Sequence, residues 1–249
     1  MVAIFCNEYE FTNIEAVLFD KDGTFVDSNL YWGKLGENRI NAIIDYYKMD
    51  KGLFNELCEV IGYNTKTGKL IYNGPLAVLS RDEVIETLVS YLKKYVSADF
   101  ETIDMIFNKV HEEFLKDVYK YTKLIQGSVE CFERLKDKGI KLAVVTSDCY
   151  ANTCETLKSL KIDKYFDVVI GKDSCLEPKK TGKPALLALD KLNVQPSNAI
   201  VIGDAPMDGE MAINAKTQGC ILVKTGQTSP KDLGKYATIV CNDLNDINI

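Results

Sequence analysis

The feature that most constrains this chain is an apolar segment that ends abruptly in two carboxylates. Ala16–Phe19 is uniformly apolar, and it is followed by Asp20, Asp22, Gly23 and Thr24. A short apolar run of this kind indicates a buried parallel strand, and ligands of open α/β sheets bind at the carboxyl ends of such strands. Because unpaired buried charge is costly, two acidic side chains at that point predict a bound cation or a chemical role.

Later apolar segments also end in polar residues. Strands are predicted over residues 141–146, 168–171, 199–204, 220–224 and 238–241, with amphipathic helices between them. This alternation predicts an α/β fold with one parallel sheet and right-handed crossovers, a Rossmann-like core. The carboxyl ends of its strands should meet at one edge of the sheet. The residues expected there are Asp20, Asp22, Thr146, Lys183, Asp204 and Asp208.

A lysine-rich loop supplies the basic member of this group. It is predicted to open a helix, because Pro184 suits the first turn. Lys183 is favoured as the site residue since Gly182 and Pro184 place it at the transition from loop to helix. Lys179 and Lys180 of the same loop are predicted to be solvated surface residues.

Between the first strand and the later ones lies a region of helical periodicity. Apolar residues recur there at spacings of three and four, and residues 69–72 are a weak candidate for a strand. We therefore predict a core formed by residues 1–27 and 125–249, with residues 28–124 inserted as an all-helical domain.

Composition limits the partners and the compartment. The chain has 249 residues, and its 30 basic against 36 acidic residues give a net charge of −6, which argues against nucleic acid as the main partner. No secretory signal and no apolar stretch of bilayer length is present, so we expect a cytoplasmic protein without a membrane partner. The eight cysteines form no CxxC pair and are predicted to be reduced thiols.

Four of these segments together resemble the motifs of the haloacid dehalogenase superfamily, and specifically its phosphatases with a helical cap. Asp20–Ser28 resembles the first motif, Thr146 the second, Lys183 the third and Gly203–Asp208 the fourth. The four occur in order along essentially the whole chain, and the helical insertion lies where the family carries its cap. The resemblance implies a phosphatase that hydrolyses a small phosphomonoester.

The resemblance also implies a covalent mechanism. Asp20 would attack phosphorus and form an aspartyl-phosphate intermediate, which water later hydrolyses. Asp22 would protonate the leaving oxygen and then deprotonate the attacking water. Thr146 would donate a hydrogen bond to a phosphoryl oxygen, and Lys183 would neutralise charge on the phosphate and the nucleophile.

Magnesium is the cofactor that the resemblance implies. A carboxylate oxygen of Asp20, the backbone carbonyl of Asp22 and the Asp204 side chain would hold Mg²⁺, which prefers oxygen ligands. Asp208 would be a further ligand through water, or it would position Lys183.

Further substrate contacts are expected at Gly23, Thr24, Ser147 and Arg81. Ser80 and Arg81 resemble the cap loop of β-phosphoglucomutase relatives, in which an arginine holds a second phosphate. The same segment is a complete capping box, with Ser80 as the N-cap and Glu83 as its partner, and this interpretation is favoured because it needs no ligand.

Three alternatives to a phosphatase differ in how well they fit. Asp22 favours phosphoryl transfer over dehalogenation, because a halide leaves without a proton. A phosphomutase of the β-phosphoglucomutase type would use the same core, and a non-catalytic receiver-like module phosphorylated on Asp20 is more distant. The sequence leaves phosphoglycolate, sugar phosphates and nucleotides open as substrates, and it leaves the oligomeric state open.

Overall fold

A computed structural model describes residues 2–249, which form two compact units. One unit contains the described residues up to Asp27 together with Lys123–Ile249, and the other is Ser28–Thr122. Within the described residues, every helix is too short or too polar to cross a lipid bilayer.

The chain begins with an antiparallel hairpin that the sequence patterns did not predict. Strand β1 (Ile4–Cys6) pairs with β2 (Tyr9–Phe11). Asn7 in the connection has a φ of 52°, a conformation that asparagine tolerates and that tight hairpin turns require. Strand β3 (Ala16–Phe19) follows, and all of its residues are buried, as expected for a strand inside a parallel sheet.

The unit Ser28–Thr122 is mainly helical. Its α-helices are α1 (Ser28–Tyr47), α2 (Phe54–Val60), α3 (Pro75–Val78), α4 (Arg81–Leu92) and α5 (Phe100–Leu115). The prediction that this region is all-helical needs one correction, because β4 (Tyr63–Asn64) pairs antiparallel with β5 (Lys69–Leu70). Strand β5 lies within residues 69–72, the weak strand candidate, whereas β4 is too short to show an alternating pattern in the sequence.

Helix α4 begins with the predicted capping box. The Ser80 hydroxyl accepts a hydrogen bond from the Glu83 N–H at 3.3 Å, and the Glu83 carboxylate accepts one from the Ser80 N–H at 2.7 Å. Two backbone donors that a helix N-terminus leaves unpaired are thereby satisfied. The apolar face of α4, including Ile85 and Leu88, is buried in the core of the helical unit.

The remaining chain returns to alternating helices and strands. These are α6 (Ser128–Asp137), β6 (Lys141–Val145), α7 (Tyr150–Ser159), β7 (Val168–Ile170), α8 (Lys183–Leu192), β8 (Ala199–Gly203), α9 (Pro206–Ala215), β9 (Gly219–Val223), α10 (Pro230–Leu233), β10 (Ile239–Cys241) and β11 (Ile247–Asn248). Strand β11 joins the other edge of β1.

Six of the described strands form one parallel sheet in the order β10–β9–β8–β3–β6–β7. Phe19 is in register with Val144 of β6 and with Ile202 of β8, so β3 has a parallel neighbour on each side. Apolar clusters cover both faces of the sheet. The predicted α/β class with a Rossmann-like parallel sheet is confirmed, and the carboxyl ends of β3, β6 and β8 lie side by side.

Candidate active site

Asp20 occupies the first position after β3. Its N–H donates to the Ile202 carbonyl at 2.8 Å, which continues the pairing with β8, and the residue is 7% exposed. The chain then turns sharply, with the N–H of Gly23 donating to the Val26 carbonyl at 2.8 Å and Gly23 at a φ of +84°. This turn explains why a glycine follows the second carboxylate, because other residues are strained at positive φ.

Three buried carboxylates meet at this edge of the sheet. Oxygens of Asp20, Asp204 and Asp208 all lie within 4.8 Å of one another, and we call these three residues the acidic cluster. The Lys179 ammonium forms an ion pair with Asp20 and another with Asp208, the second at 2.6 Å. The structure therefore brings together Asp20, which directly follows β3, Asp204, which directly follows β8, and Asp208 in α9.

The electrostatics of the cluster reflect an excess of negative charge. Burial raises the pKa of Asp20, the Lys179 ammonium opposes this rise, and the Asp208 carboxylate adds to it. Burial together with the charges of Asp20 and Asp208 holds the pKa of Asp204 well above its usual range. Burial alone would lower the pKa of Lys179, but the two carboxylates outweigh it and raise that pKa. The cluster favours a further cation.

Asp208 is held by the start of α9. One of its oxygens accepts the N–H of Asp204 at 3.2 Å and the N–H of Ala205 at 3.0 Å, while the other faces Lys179. A side chain at position 203 would overlap the Asp208 carboxylate, which explains the glycine there. Asp208 thus holds the loop that carries Asp204. It also pairs with a lysine, but this lysine is Lys179 and not the predicted Lys183.

Asp204 lies against the turn that follows β3. A Cβ atom at Gly23 or at Gly226 would overlap its carboxylate, so both glycines allow the backbone to approach closely. The buried Thr24 hydroxyl donates to Asp204 at 3.4 Å, and the Thr225 hydroxyl donates to the Gly23 carbonyl at 2.6 Å. Gly23 and Thr24, which were predicted to contact substrate, are placed around this carboxylate.

The structure corrects the assignment of the site lysine. Lys183 is the first residue of α8 and its side chain is exposed, whereas Lys179 is 8% exposed and contacts Asp20. A short 3-10 turn, Lys179–Thr181, directs Lys179 inward, and Gly182 at a φ of +79° then reverses the chain into α8. The predictions that Lys183 reaches the cluster and that Lys179 is a solvated surface residue are wrong.

The second carboxylate of the opening motif has a different environment. Both oxygens of Asp22 approach the Lys21 ammonium, at 2.9 and 2.8 Å, and the same ammonium lies 3.3 Å from Asp148. Burial raises the pKa of Asp22, and the Lys21 charge opposes that rise. Sequence reasoning gave Lys21 no role, although a lysine between two acids at a strand end was a visible signal.

Thr146 lies at the end of β6 as predicted. It is 5% exposed, its N–H donates to the Ile170 carbonyl at 3.0 Å, and its hydroxyl oxygen accepts the Asp148 N–H at 3.2 Å. Ser147 is exposed and donates weakly to the sulfur of Met207 at 3.7 Å. Thr146, Ser147, Lys179 and Met207 line an open cleft of about 430 Å³ in the core unit.

Arg81 belongs to the helical unit and is held there by its neighbours. Its guanidinium pairs with the Asp104 carboxylate and donates to the side chain of Asn108 at 2.8 Å. Arg81 and the buried Arg39 both lie against the ring of Phe107, at 5.8 and 4.2 Å from the ring centre. The structure thus gives Arg81 a packing role in this unit, and its contact with substrate stays a prediction.

The acidic cluster fits the magnesium that the sequence resemblance implies. Its donor atoms are carboxylate oxygens, which hard divalent cations prefer, and they lie close enough together to share an ion. One lysine pairs with two of the three carboxylates, so the donor set retains negative charge for a cation. The Asp22 side chain pairs with Lys21 instead, and the predicted contribution of its backbone carbonyl is untested.

Sequence comparison finds relatives over most of the chain. A protein of Caldanaerobacter subterraneus named "Putative pyrophosphatase PpaX" is 31% identical over 196 residues, which cover 78% of this chain and 75% of the relative. A phosphoglycolate phosphatase of Aquifex aeolicus is 28% identical over 82% of this chain and 83% of its own length.

Structure comparison supports the same fold. A crystal structure from Haemophilus somnus, described as a predicted phosphoglycolate phosphatase, superposes with a TM-score of 0.71 at 20% identity and covers 94% of this chain and 96% of its own. The sequence profile described as "Haloacid dehalogenase-like hydrolase" matches residues 17–222, a span that begins within β3 and ends within β9. The predicted enzyme class is confirmed: the chain belongs to the haloacid dehalogenase-like hydrolases.

Proposed function

We propose that this protein is a magnesium-dependent phosphatase that hydrolyses a small phosphomonoester through an aspartyl-phosphate intermediate. The observation that carries the proposal is the environment of Asp20. It is a buried carboxylate at the end of the central strand β3, paired with Lys179 and within reach of two further carboxylates. Asp22, two residues later, supplies a second acid beside it.

The residues divide the chemistry into two steps. An oxygen of Asp20 attacks phosphorus, the bond between phosphorus and the leaving oxygen breaks, and Asp22 gives its proton to that oxygen. Water then attacks the phosphorus of the aspartyl phosphate, Asp22 accepts its proton, and the bond to Asp20 breaks to release inorganic phosphate. Both residues return to their starting states.

Charge has to be balanced throughout, because an anionic nucleophile approaches an anionic phosphoryl group. The Lys179 ammonium pairs with Asp20 and would neutralise part of this charge. The Thr146 hydroxyl, at the end of β6, would donate to a phosphoryl oxygen. The Asp20 and Asp204 carboxylates and the backbone carbonyl of Asp22 would hold Mg²⁺, with Asp208 as a further ligand through water. When bound there, Mg²⁺ would supply further charge neutralisation and orient the phosphate.

We further propose that the helical unit Ser28–Thr122, as the cap implied by the resemblance, determines which substrate is accepted. Relatives of this chain carry the names of a pyrophosphatase and a phosphoglycolate phosphatase. A first substrate panel therefore contains inorganic pyrophosphate, phosphoglycolate, sugar phosphates and nucleoside monophosphates, with phosphate release as the readout.

The central test is Asp20→Asn, with Asp190→Asn on the exposed face of α8 as a matched control. We expect Asp20→Asn to abolish hydrolysis of an aryl phosphate while its circular dichroism spectrum stays unchanged, and the control to keep wild-type turnover. Wild-type enzyme quenched during turnover should carry the added mass of one phosphoryl group, on a peptide containing Asp20.

Two results would contradict the proposal. Retained turnover in Asp20→Asn would show that another residue is the nucleophile. Isomerised sugar phosphate with little free phosphate would identify a phosphomutase, which would use the same aspartyl phosphate but return the phosphoryl group to a sugar.

A further inference from the structure

We propose that Lys21, anchored by Asp148, is a positioning residue that holds Asp22 for proton transfer to the leaving group. This inference rests on the proposed function, because it assigns a partner to the residue that acts there as acid and base. Lys21 lies between the two carboxylates of the opening motif, and its side chain is 5% exposed.

The contacts of Lys21 are directed at Asp22. Its ammonium lies 2.9 Å from one oxygen of Asp22 and 2.8 Å from the other, so it holds the carboxylate from one side. A carboxylate has about four lone-pair positions, and one ammonium can occupy only part of them. The 27% of the Asp22 side chain that is exposed leaves it accessible to a reacting oxygen.

Asp148 fixes the other side of the lysine. It lies 3.3 Å from the Lys21 ammonium, and its second oxygen accepts the Cys149 N–H at 2.8 Å. Its own N–H donates to the Thr146 hydroxyl at 3.2 Å. The bridge Asp22–Lys21–Asp148 therefore joins the loop after β3 to the loop after β6, and these loops carry the proton donor and a phosphate-binding hydroxyl.

Removal of the ammonium would take away the contacts that fix the direction of the Asp22 side chain. Asp22 is exposed enough to rotate toward solvent once these contacts are lost. General acid catalysis requires the donor within hydrogen-bond reach of the leaving oxygen, so a rotated Asp22 would lose this contribution. The turn after β3 should persist in the variant, because it is held by the backbone: the Lys21 carbonyl accepts hydrogen bonds from the N–H groups of Phe25 and Val26.

The leaving group distinguishes this role from a structural one. Dinitrophenolate leaves without a proton, whereas an alkoxide needs one. For Lys21→Met we expect kcat/KM for an alkyl phosphate to fall on the order of 100-fold more than kcat/KM for 2,4-dinitrophenyl phosphate, within the range of general acid catalysis. Because kcat/KM reports the steps up to the first bond cleavage, later hydrolysis of the intermediate does not affect this comparison.

A double-mutant cycle tests whether Lys21 acts through Asp22. In an Asp22→Ala background, Lys21→Met should cause no further selective loss on the alkyl phosphate, because the two residues form one unit. Asp148→Asn should also lower kcat/KM more for the alkyl phosphate than for the dinitrophenyl phosphate, but by a smaller factor. This variant replaces Lys21→Met in the test if Lys21→Met does not fold. Lys191→Met, at an exposed lysine on α8 that does not line the cleft, is the matched control.

The outcomes separate the two proposals. Equal losses on both substrates, or additive effects in the cycle, would overturn the role of Lys21 while leaving the phosphatase intact. A wild-type protein that hydrolyses neither substrate would overturn the proposed function and this inference with it.

Discussion

Lys179 is the residue on which the charge balance of the core depends. It is almost fully buried and pairs with two carboxylates, so its removal would leave Asp20 and Asp208 without their ammonium partner. For Lys179→Met we expect kcat/KM to fall about 100- to 1,000-fold, as is typical when a charge-stabilising group is lost. Steady-state hydrolysis of an aryl phosphate measures this.

The same loop provides the control for that prediction. Lys183 has an exposed side chain on α8, so Lys183→Met should change kcat/KM by no more than about threefold, in keeping with the small energetic role of exposed charges. Loss of activity in Lys183→Met together with an active Lys179→Met would reverse the assignment.

Asp204 allows the metal to be tested without an activity assay. Magnesium should raise the melting temperature of the wild-type protein, because a ligand that binds only the native state stabilises it, by about 2.7 kcal/mol at 100 times its Kd. Asp204→Asn should abolish this increase. The variant should also melt at a higher temperature than metal-free wild type, because one of three crowded carboxylates is gone.

Thermal unfolding with and without MgCl₂ checks both parts of this prediction. Asp190→Asn is the control and should retain the magnesium response. A response of Asp204→Asn equal to that of wild type would place the metal elsewhere.

For individual residues, the sequence predicted the position of a site residue well where that residue directly follows a buried strand. Asp20, Thr146 and Asp204 were predicted correctly in position because strand ends are marked by an abrupt change from apolar to polar residues. Lys179 could not be assigned in this way. Its direction depends on a short 3-10 turn and on the positive φ of Gly182, and neither has a distinctive pattern in a loop that contains three lysines.

Among the elements, α4 offers a direct measurement of its N-terminal cap. Ser80→Ala removes the acceptor of the Glu83 N–H and should lower the free energy of unfolding of the helical unit by about 1 kcal/mol. Ser90→Ala, at an exposed interior position of the same helix, should instead raise it by a few tenths of a kcal/mol, about the difference in helix propensity.

Urea denaturation followed by circular dichroism at 222 nm separates the two variants. Equal effects of Ser80→Ala and Ser90→Ala would mean that the cap adds no stability beyond helix propensity.

The elements also show what periodicity can and cannot predict. The long helices and buried strands of the core were visible because their apolar spacing extends over many residues. The hairpin of β1 and β2 was missed because each strand has only three residues, and those of β1 are all apolar and show no alternation. The β4–β5 pair is shorter still, and only its second strand lies within a segment, residues 69–72, that the sequence offered as a weak strand candidate.

For the whole molecule, the distribution of thiols is a sensitive measure of the fold. All eight cysteines are free, and those that are buried are Cys6, Cys58, Cys131, Cys220 and Cys241. Burial raises the pKa of the Cys58 and Cys131 thiols to about 12, which further slows their reaction. In the native protein, Ellman's reagent should therefore titrate at most the partly exposed Cys149, Cys154 and Cys175.

After denaturation in urea, all eight thiols should react with Ellman's reagent without prior treatment with a reducing agent. Fewer than eight would indicate a disulfide, and rapid reaction of more than three in the native protein would contradict the packing of the core.

The two ends of the helical unit leave the core at neighbouring points. The Asp27 N–H donates to the Lys123 carbonyl at 2.9 Å, and the Ile125 N–H donates to the Phe25 carbonyl at 2.9 Å. The core thus closes on itself on both sides of the insertion, and the entropy of closing a segment between two neighbouring points grows only slowly with its length. Such a junction allows the intervening segment to be exchanged, lengthened or shortened over evolutionary time while the aspartates and Lys179 keep their places. On the proposal that this segment chooses the substrate, substrate range can change while the residues that carry out the reaction stay the same.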